Sequence, residues 1–441
     1  MFKHNRNNLK KGLVLLSITA VFFLALVPRW YYARAPLSAK PLYADMNGYA
    51  DCARNLAAGN GLYTLWNGVP FRAYWPPGFP VLLSLFLVSG DSDLQVFYLF
   101  QAIVLSAGAC VLLYWLGIRL AAGYCRQYGK SCGIAVFACP LIATIAMAFL
   151  EPHIFFSGIL MTETFFVFML LLWLLLLTGL RGKSHGYCLP AVAGAMLGAM
   201  SLVRSSAVFL VPVLAVVVLM RGRAWRQRFT EIAVAALMML AVVTPWTIRN
   251  ALVLNAFVPL STTDGVNLYM GHNPDTPTQG GRKKEIREEV GNDEIRQREH
   301  FKKIAVQYIR ENPFITVRNL FLKTEHLFSF TTQPFPGYLY RTGFELAVGS
   351  WPMFRWSLWL AILALPAVII VALKDRFFAV LIIGTITMHV GAHLVFFGAS
   401  RFRLPIEPLI MLLILHMVFL LFSRDSNKNP CASEACQGEL K

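Results

Sequence analysis

Charge is what this chain has least of. Asp, Glu, Lys and Arg make up 14% of the 441 residues while 57% are hydrophobic, and soluble domains carry about 25% charged residues. Mean hydropathy is +0.56. An ordinary soluble domain is therefore excluded. The 40 Lys and Arg against 23 Asp and Glu do not indicate nucleic acid, because the basic residues fall in short segments between apolar runs. Cysteine is also scarce where it could matter. Of the eight, only Cys52 lies in the first long polar loop and none in the second, so no disulfide braces the loops. Cys431 and Cys436 have no His or further Cys nearby, which argues against a metal site in the tail. There is no internal repeat of the kind many transporters carry.

What is present is a series of apolar runs. Ten are long enough to count as spans, at about 12–28, 94–118, 132–150, 163–180, 187–203, 205–220, 229–247, 354–373, 377–397 and 405–422. The run 79–89 is too short to cross and is expected to lie at the interface. Segments 1–11, 119–130, 181–186, 221–228, 374–376 and 423–441 carry eighteen Lys and Arg, and the short segments on the other side carry three. The positive-inside rule then places both termini in the cytoplasm. The first span is read as a retained helix, since no small-residue cleavage site precedes "PRWYYARAP".

The expected architecture is an all-α polytopic membrane protein of about ten transmembrane helices in one unit, 1–422. It has two long outward-facing loops, 29–93 and 249–353, interfacial helices, and a disordered cytoplasmic tail, 423–441. The tail is polar and cannot bury a core.

This arrangement gathers the notable polar residues on the outer face. Asp45 follows the first span, and Glu163 opens the fourth, where an acid at the edge of hydrocarbon is a functional candidate. Arg72, Arg249, Arg401 and Arg403 fall on the same side, as do His389 and His393, an i,i+4 pair. A carboxylate can deprotonate an incoming hydroxyl, and guanidiniums bind phosphate in a fork. Those are the parts needed to use a polyprenyl-phosphate sugar donor. The stretch "DMNGYADCARNLAAGNGL" reads as a short amphipathic helix with Tyr49, Ala53, Leu56 and Ala57 on one face, ended by Gly59 and Gly61. "WPPGFP" turns the chain toward 79–89. The segment 282–312 alternates in charge and reads as a solvated helix docked by Ile304, Tyr308 and Ile309.

The motifs "YADMNGYADCARNLAAGNGL", "YWPPGFP", "MTETFF", "TPWTIRNALVLNAFVPLSTTDGVNLYMGHNP", "AVQYIRENPFITVRNLFLK" and "SRFRLPIEP" occur in an order that resembles the GT-C membrane glycosyltransferases. The resemblance is to the bacterial relatives of protein O-mannosyltransferases and of lipid A aminoarabinose transferases, and covers about 40–420. It implies that Asp45 is the catalytic carboxylate of an inverting transfer, assisted by Glu163. It also implies that the segment holding Asn267, His272 and Asn273 lies near the donor. Two features depart from the family. Met46 follows Asp45 where many relatives carry a second acid. Tyr74-Trp75-Pro76 stands where aminoarabinose transferases have Glu-Lys-Pro, leaving Arg72 as the nearest substitute.

The expectation is a glycosyltransferase at the inner or plasma membrane, with its site on the outer, periplasmic face. It moves a hexosyl or pentosyl group from a polyprenyl-phosphate carrier to a hydroxyl of a glycan, lipid or protein. Its catalytic residues are Asp45 and Glu163. Its substrate-binding residues are Tyr49, Arg72, Arg249, Asn267, His272, Asn273, His393, Arg401 and Arg403. No cofactor or metal is expected, and the only other partner is membrane lipid. Two alternatives are a lipid-linked glycan transporter or flippase, and an O-antigen ligase-like enzyme using a diphosphate-linked donor.

Overall fold

The computed structural model describes residues 2–34, 42, 45–87, 94–130, 133–181, 186–275, 283–328 and 356–423. All of the expected tail except Ser423 therefore lies outside the described residues, as do parts of both long loops. In chain order the elements are α1 (Phe2–Ala33), α2 (Asp45–Ala57), the strands β1 (Thr64–Trp66) and β2 (Val69–Phe71), and α3 (Gly78–Ser84). Then come α4 (Leu94–Tyr128), α5 (Ala135–Ala148), α6 (Glu151–Phe156), α7 (Thr162–Thr178), α8 (Cys188–Val203), α9 (Ser205–Leu219) and α10 (Trp225–Leu254). Four helices of the second loop follow: α11 (Thr263–Gly271), α12 (Lys283–Val290), α13 (Glu294–Glu311) and α14 (Pro313–Phe328). The chain closes with α15 (Trp356–Lys374), α16 (Arg376–Val395), a 3₁₀ turn (Ser400–Arg403) and α17 (Glu407–Phe422).

Among the described residues, five helices are long and apolar enough to cross a membrane (α1, α4, α7, α10 and α16), and five shorter apolar ones (α5, α8, α9, α15 and α17) pack with them. The ten expected apolar runs are thus ten helices, and the protein is a multi-pass membrane protein. Four of the shorter helices, α5, α8, α9 and α17, have 14–16 residues and rise about 21–24 Å, less than the ~30 Å of a bilayer core. These four therefore rely on the helices they pack against.

Two devices close the bundle. On α8, Gly194 and Gly198 are four residues apart and face α10 so closely that a Cβ on either would strike the backbone of Ala235 or Met239. This is the small-xxx-small contact that lets membrane helices approach when no hydrophobic effect pulls them together. At the end of α1, Arg29 is fully buried. It donates to Ser106 Oγ on α4 at 2.7 Å, and to the last carbonyls of α5, Ala148 at 2.6 Å and Met147 at 3.2 Å. One guanidinium thus helps satisfy the last carbonyls of a helix, where Met147 O also accepts from Leu150 N at 3.2 Å.

The second loop departs from the sequence reading. The charged stretch 282–312 is two helices, broken at Gly291 with φ +77°, and Asp293 caps α13 by accepting from Arg296 N at 2.8 Å. Phe301 and Ala305 dock α13, with Ile304, Tyr308 and Ile309 only half-buried. The docking face is rotated because Glu294 is also buried. Its carboxylate accepts from the backbone amides of Arg72 (2.6 Å) and Ala73 (3.0 Å) and from Thr262 Oγ1 (2.7 Å). Burial holds this carboxyl above the usual range, although those donors oppose the shift. One acid thus fastens the first loop to the second. The first loop also contains a β1–β2 hairpin, closed by Asn67-Gly68 with positive φ at both. That dipeptide is the usual two-residue hairpin signal.

The end of α14 supports the end of α16. Lys323, fully buried, donates to Leu394 O at 2.9 Å and lies 2.9 Å from His272 Nε2, which is also 2.9 Å from Val395 O. A cation at the C-terminus of α16 meets exposed carbonyls and the negative end of the helix dipole. Burial brings the amine down to about 8. Burial and the Lys323 charge together bring His272 down to about 4.

Two outcomes test this packing. Gly198→Leu should cost about 1–3 kcal/mol by overpacking, read as a lower melting temperature of the purified protein, with Ala195→Leu as a control on the same helix. Lys323 has an ordinary value of 10.5 and a folded value of about 8. Between those pH values the unfolded chain holds the extra proton, so stability rises with pH across the window and is lowest below 8. Thermal unfolding from pH 7.5 to 10.5 should show that rise in the wild type and a flatter profile in Lys323→Met. Identical slopes would assign the effect to other groups.

Candidate functional site

Asp45 begins α2 and keeps a third of its side chain exposed, with Oδ2 3.6 Å from Nη2 of Arg401. Arg401 comes from the 3₁₀ turn that precedes α17, so the pair joins the first and last thirds of the chain. Burial works against the Arg401 charge, but Asp45, Glu163 and Tyr49 outweigh it and raise its pKa. One helical turn beyond Asp45, Tyr49 packs its ring against Trp75 and Phe79, with centroids at 5.2 and 5.1 Å. The approach is possible because residue 48 is glycine, where a Cβ would run into the Trp75 ring. Burial first, then Asp45 and Glu163, push the Tyr49 phenol far up, against the pull of Arg204 and Arg401. The same four charges therefore surround this one side chain.

Glu163 lies in the first turn of α7, 1% exposed, with Oε1 3.0 Å from Nη1 of Arg204. An acid in the first turn faces the positive end of the helix dipole. Arg204 occupies the break between α8 and α9 in an extended conformation, and also donates to Thr162 Oγ1 at 3.2 Å. Phe402 lies at the centre of the group. The guanidiniums of Arg401 and Arg204 sit 5.1 and 5.2 Å from its ring, and His393 stacks on it at 4.2 Å and 15°. His393 Nε2 is buried with no hydrogen-bond partner among the described residues, while His389 Nε2 bonds Phe402 O at 2.8 Å.

Of the residues expected in the site, Asp45, Tyr49, Glu163, His393 and Arg401 thus come together. The others lie elsewhere, most of them with partners of their own. Arg249 donates to Arg72 O (2.7 Å), Leu62 O (2.9 Å) and Asn250 Oδ1 (3.0 Å), and lies 4.8 Å over Trp246. With Arg72 it lines a cavity of about 380 Å³ that is also bordered by Tyr63, Leu65 and Val253. Arg403 pairs with Glu407 at 2.5 Å and reaches Leu327 O at 3.4 Å. Asn273 is fully buried, donates to Tyr269 O at 3.0 Å and accepts from Asp275 N at 3.1 Å. His272 belongs to the Lys323 couple. Asn267 is half-buried on α11, with no hydrogen bond described.

Sequence reasoning missed Arg204 and counted it only as one outside charge. The available signal was an arginine set between two apolar runs against the prevailing charge bias, with an unmatched Glu163 at the start of another run. Glu294 and Lys323 were also missed, and nothing in their local sequence distinguishes them from solvated neighbours.

The described His, Cys, Asp and Glu side chains form no group of three suited to a metal, and both site carboxylates are taken up by guanidiniums. The centre balances two negative and two positive charges around a phenol. It can accept a proton at Asp45 and neutralise an incoming anion at Arg401.

No protein-family model matches this sequence, and no curated protein matches it. Solved structures do. The apo oligosaccharyltransferase of Archaeoglobus fulgidus superposes with a TM-score of 0.54 at 11% identity, over 98% of this chain and 53% of that one. The same enzyme tethered to an acceptor peptide gives 0.51 at 12%, over 94% and 50%. ArnT of Cupriavidus metallidurans bound to undecaprenyl phosphate gives 0.39 at 13%, over 92% and 78%. The chain spans about half the length of the oligosaccharyltransferase structures it matches. At such identities the likeness is one of fold: this polytopic membrane protein shares the fold of the matched part of the archaeal oligosaccharyltransferase.

Proposed function

We propose that the protein is a glycosyltransferase. It would move a sugar from a polyprenyl-phosphate carrier to a hydroxyl acceptor at the outer membrane face, with inversion at the anomeric carbon. The observation that carries this is the Asp45–Arg401 pair. It sets a half-open carboxylate beside a guanidinium at the ends of apolar helices, where a lipid phosphate would lie. The fold shared with an oligosaccharyltransferase that holds an acceptor peptide supports transfer to an acceptor.

In the transfer, Asp45 takes the proton of the acceptor hydroxyl as its oxygen attacks the anomeric carbon. The bond from that carbon to the phosphate oxygen breaks, and its electron pair stays on the phosphate. The carrier leaves as a monophosphate whose added charge Arg401 meets with charge-assisted hydrogen bonds. Tyr49 and His393 Nε2 border the same space as hydrogen-bonding groups for the sugar or phosphate. The same fold also occurs in complex with zinc and sulfate, in the Archaeoglobus fulgidus enzyme. In this chain the two carboxylates already hold guanidiniums, so no step is assigned to a metal. The cavity at Arg72 and Arg249 lies beside the hairpin, where the donor or a lipid headgroup would meet the outer surface.

Asp45→Asn should retain its fold and lose sugar transfer by about 10²–10⁴-fold, the usual range for a general base. The assay is transfer of label from polyprenyl-phosphate sugars in membranes, at matched expression. Arg401→Met should raise the donor KM about tenfold, the loss of roughly 1.4 kcal/mol of phosphate binding. Unchanged transfer in Asp45→Asn would remove the carboxylate from the mechanism.

A further inference from the structure

We propose that Arg204 is a positioning residue of this centre, acting on the reaction through Glu163. The inference rests on the transferase reading above and assigns to it a residue outside the catalytic pair. Three segments far apart in sequence meet at this one guanidinium. Its own segment is the extended link between α8 and α9. Its Nη1 bonds Glu163 Oε1 at 3.0 Å and Thr162 Oγ1 at 3.2 Å, both in the first turn of α7. Its plane lies 5.7 Å from the ring of Phe166 and 5.2 Å from that of Phe402, and Phe402 directly follows Arg401. A planar, always-charged fork that stacks on rings suits this task, whereas a lysine offers only a point charge.

The consequence for Glu163 is specific. With Oε1 held by Arg204, Oε2 has among the described residues only Thr162 Oγ1 as a partner, at a long 3.5 Å. That oxygen is the one available to accept a hydrogen bond from a sugar or acceptor hydroxyl. The same guanidinium packs against the Phe402 ring, on which His393 stacks and which borders Arg401. Arg204 thus sets the aim of Glu163 and the seating of the Arg401 segment together. A staple between α7 and α8 alone would need neither the Phe402 contact nor the proximity to Tyr49.

The test is a double-mutant cycle on purified protein, with kcat and donor KM measured from polyprenyl-phosphate sugar. The variants are Arg204→Met, Glu163→Gln, the double variant and Arg204→Lys, with melting temperatures recorded for each. Arg204→Met should lower kcat about 10–100-fold, the scale of a small misplacement of reacting groups, with KM within about threefold. Adding it to Glu163→Gln should cost little more than Glu163→Gln alone, because the two act as one unit. Arg204→Lys should recover kcat to within about tenfold of wild type by keeping the ion pair. Should Arg204→Met prove too unstable to purify, Arg204→Gln replaces it in the cycle. Multiplying losses, or losses that follow melting temperature alone, would overturn the role of Arg204 while leaving the transferase reading in place. Absence of transfer in the wild type would overturn both.

Discussion

A charge at the edge of hydrocarbon must have a partner, and much of this structure follows from that constraint. Glu163, Arg403 and Arg29 are almost entirely removed from water, and each is matched: Glu163 by Arg204, Arg403 by Glu407, Arg29 by a hydroxyl and helix-end carbonyls. Removing one partner of such a pair is costly because the remaining charge is left buried and uncompensated. The Glu163–Arg204 and Arg29 contacts thereby help to set the relative positions of the helices they join. Asp45 and Arg401 are the exception in degree. They stand 3.6 Å apart with side chains 35% and 19% exposed, close enough to organise each other and loose enough for substrate to intervene.

The loops convert this bundle into a site. Glu294 clamps the backbone of residues 72–73 to Thr262, and Arg249 ties the same strand end to α10 through two carbonyls. An arginine expected to bind phosphate is thus occupied with holding backbone. Trp75 and Phe79 then brace Tyr49, so α2 presents Asp45 from a rigid face. Beneath them the ring of Phe402 brings His393, Arg204 and Arg401 together. Sites built on such braced elements hold geometry better than free loops do.

The fold was readable because hydropathy reports directly on spanning segments: each of the ten apolar runs became a helix. The amphipathic helix near 46–58 was readable for the same reason, from its spacing and its glycine stop. The charged stretch 282–312 misled because alternating sign says nothing about which acid is buried. Glu294 is buried through amides that come from more than two hundred residues away. The site was half legible. Glu163 and Arg401 declare themselves as charges next to apolar runs, and Asp45 through the resemblance of the first polar loop, whereas Arg204 becomes meaningful only when α7 and α8 are set side by side. Arg249 and Arg403 showed the same local signal as Arg401 and took other partners, since local sequence carries no information about what stands opposite.

The most direct measurement is the anomeric configuration of the product formed by purified protein from a polyprenyl-phosphate sugar of defined configuration, read by NMR. A single displacement driven by the Asp45 carboxylate predicts inversion, with the free carrier monophosphate released in equal amount. Retained configuration, or turnover only of diphosphate-linked donors, would contradict the assignment of Asp45 and Arg401 to that displacement.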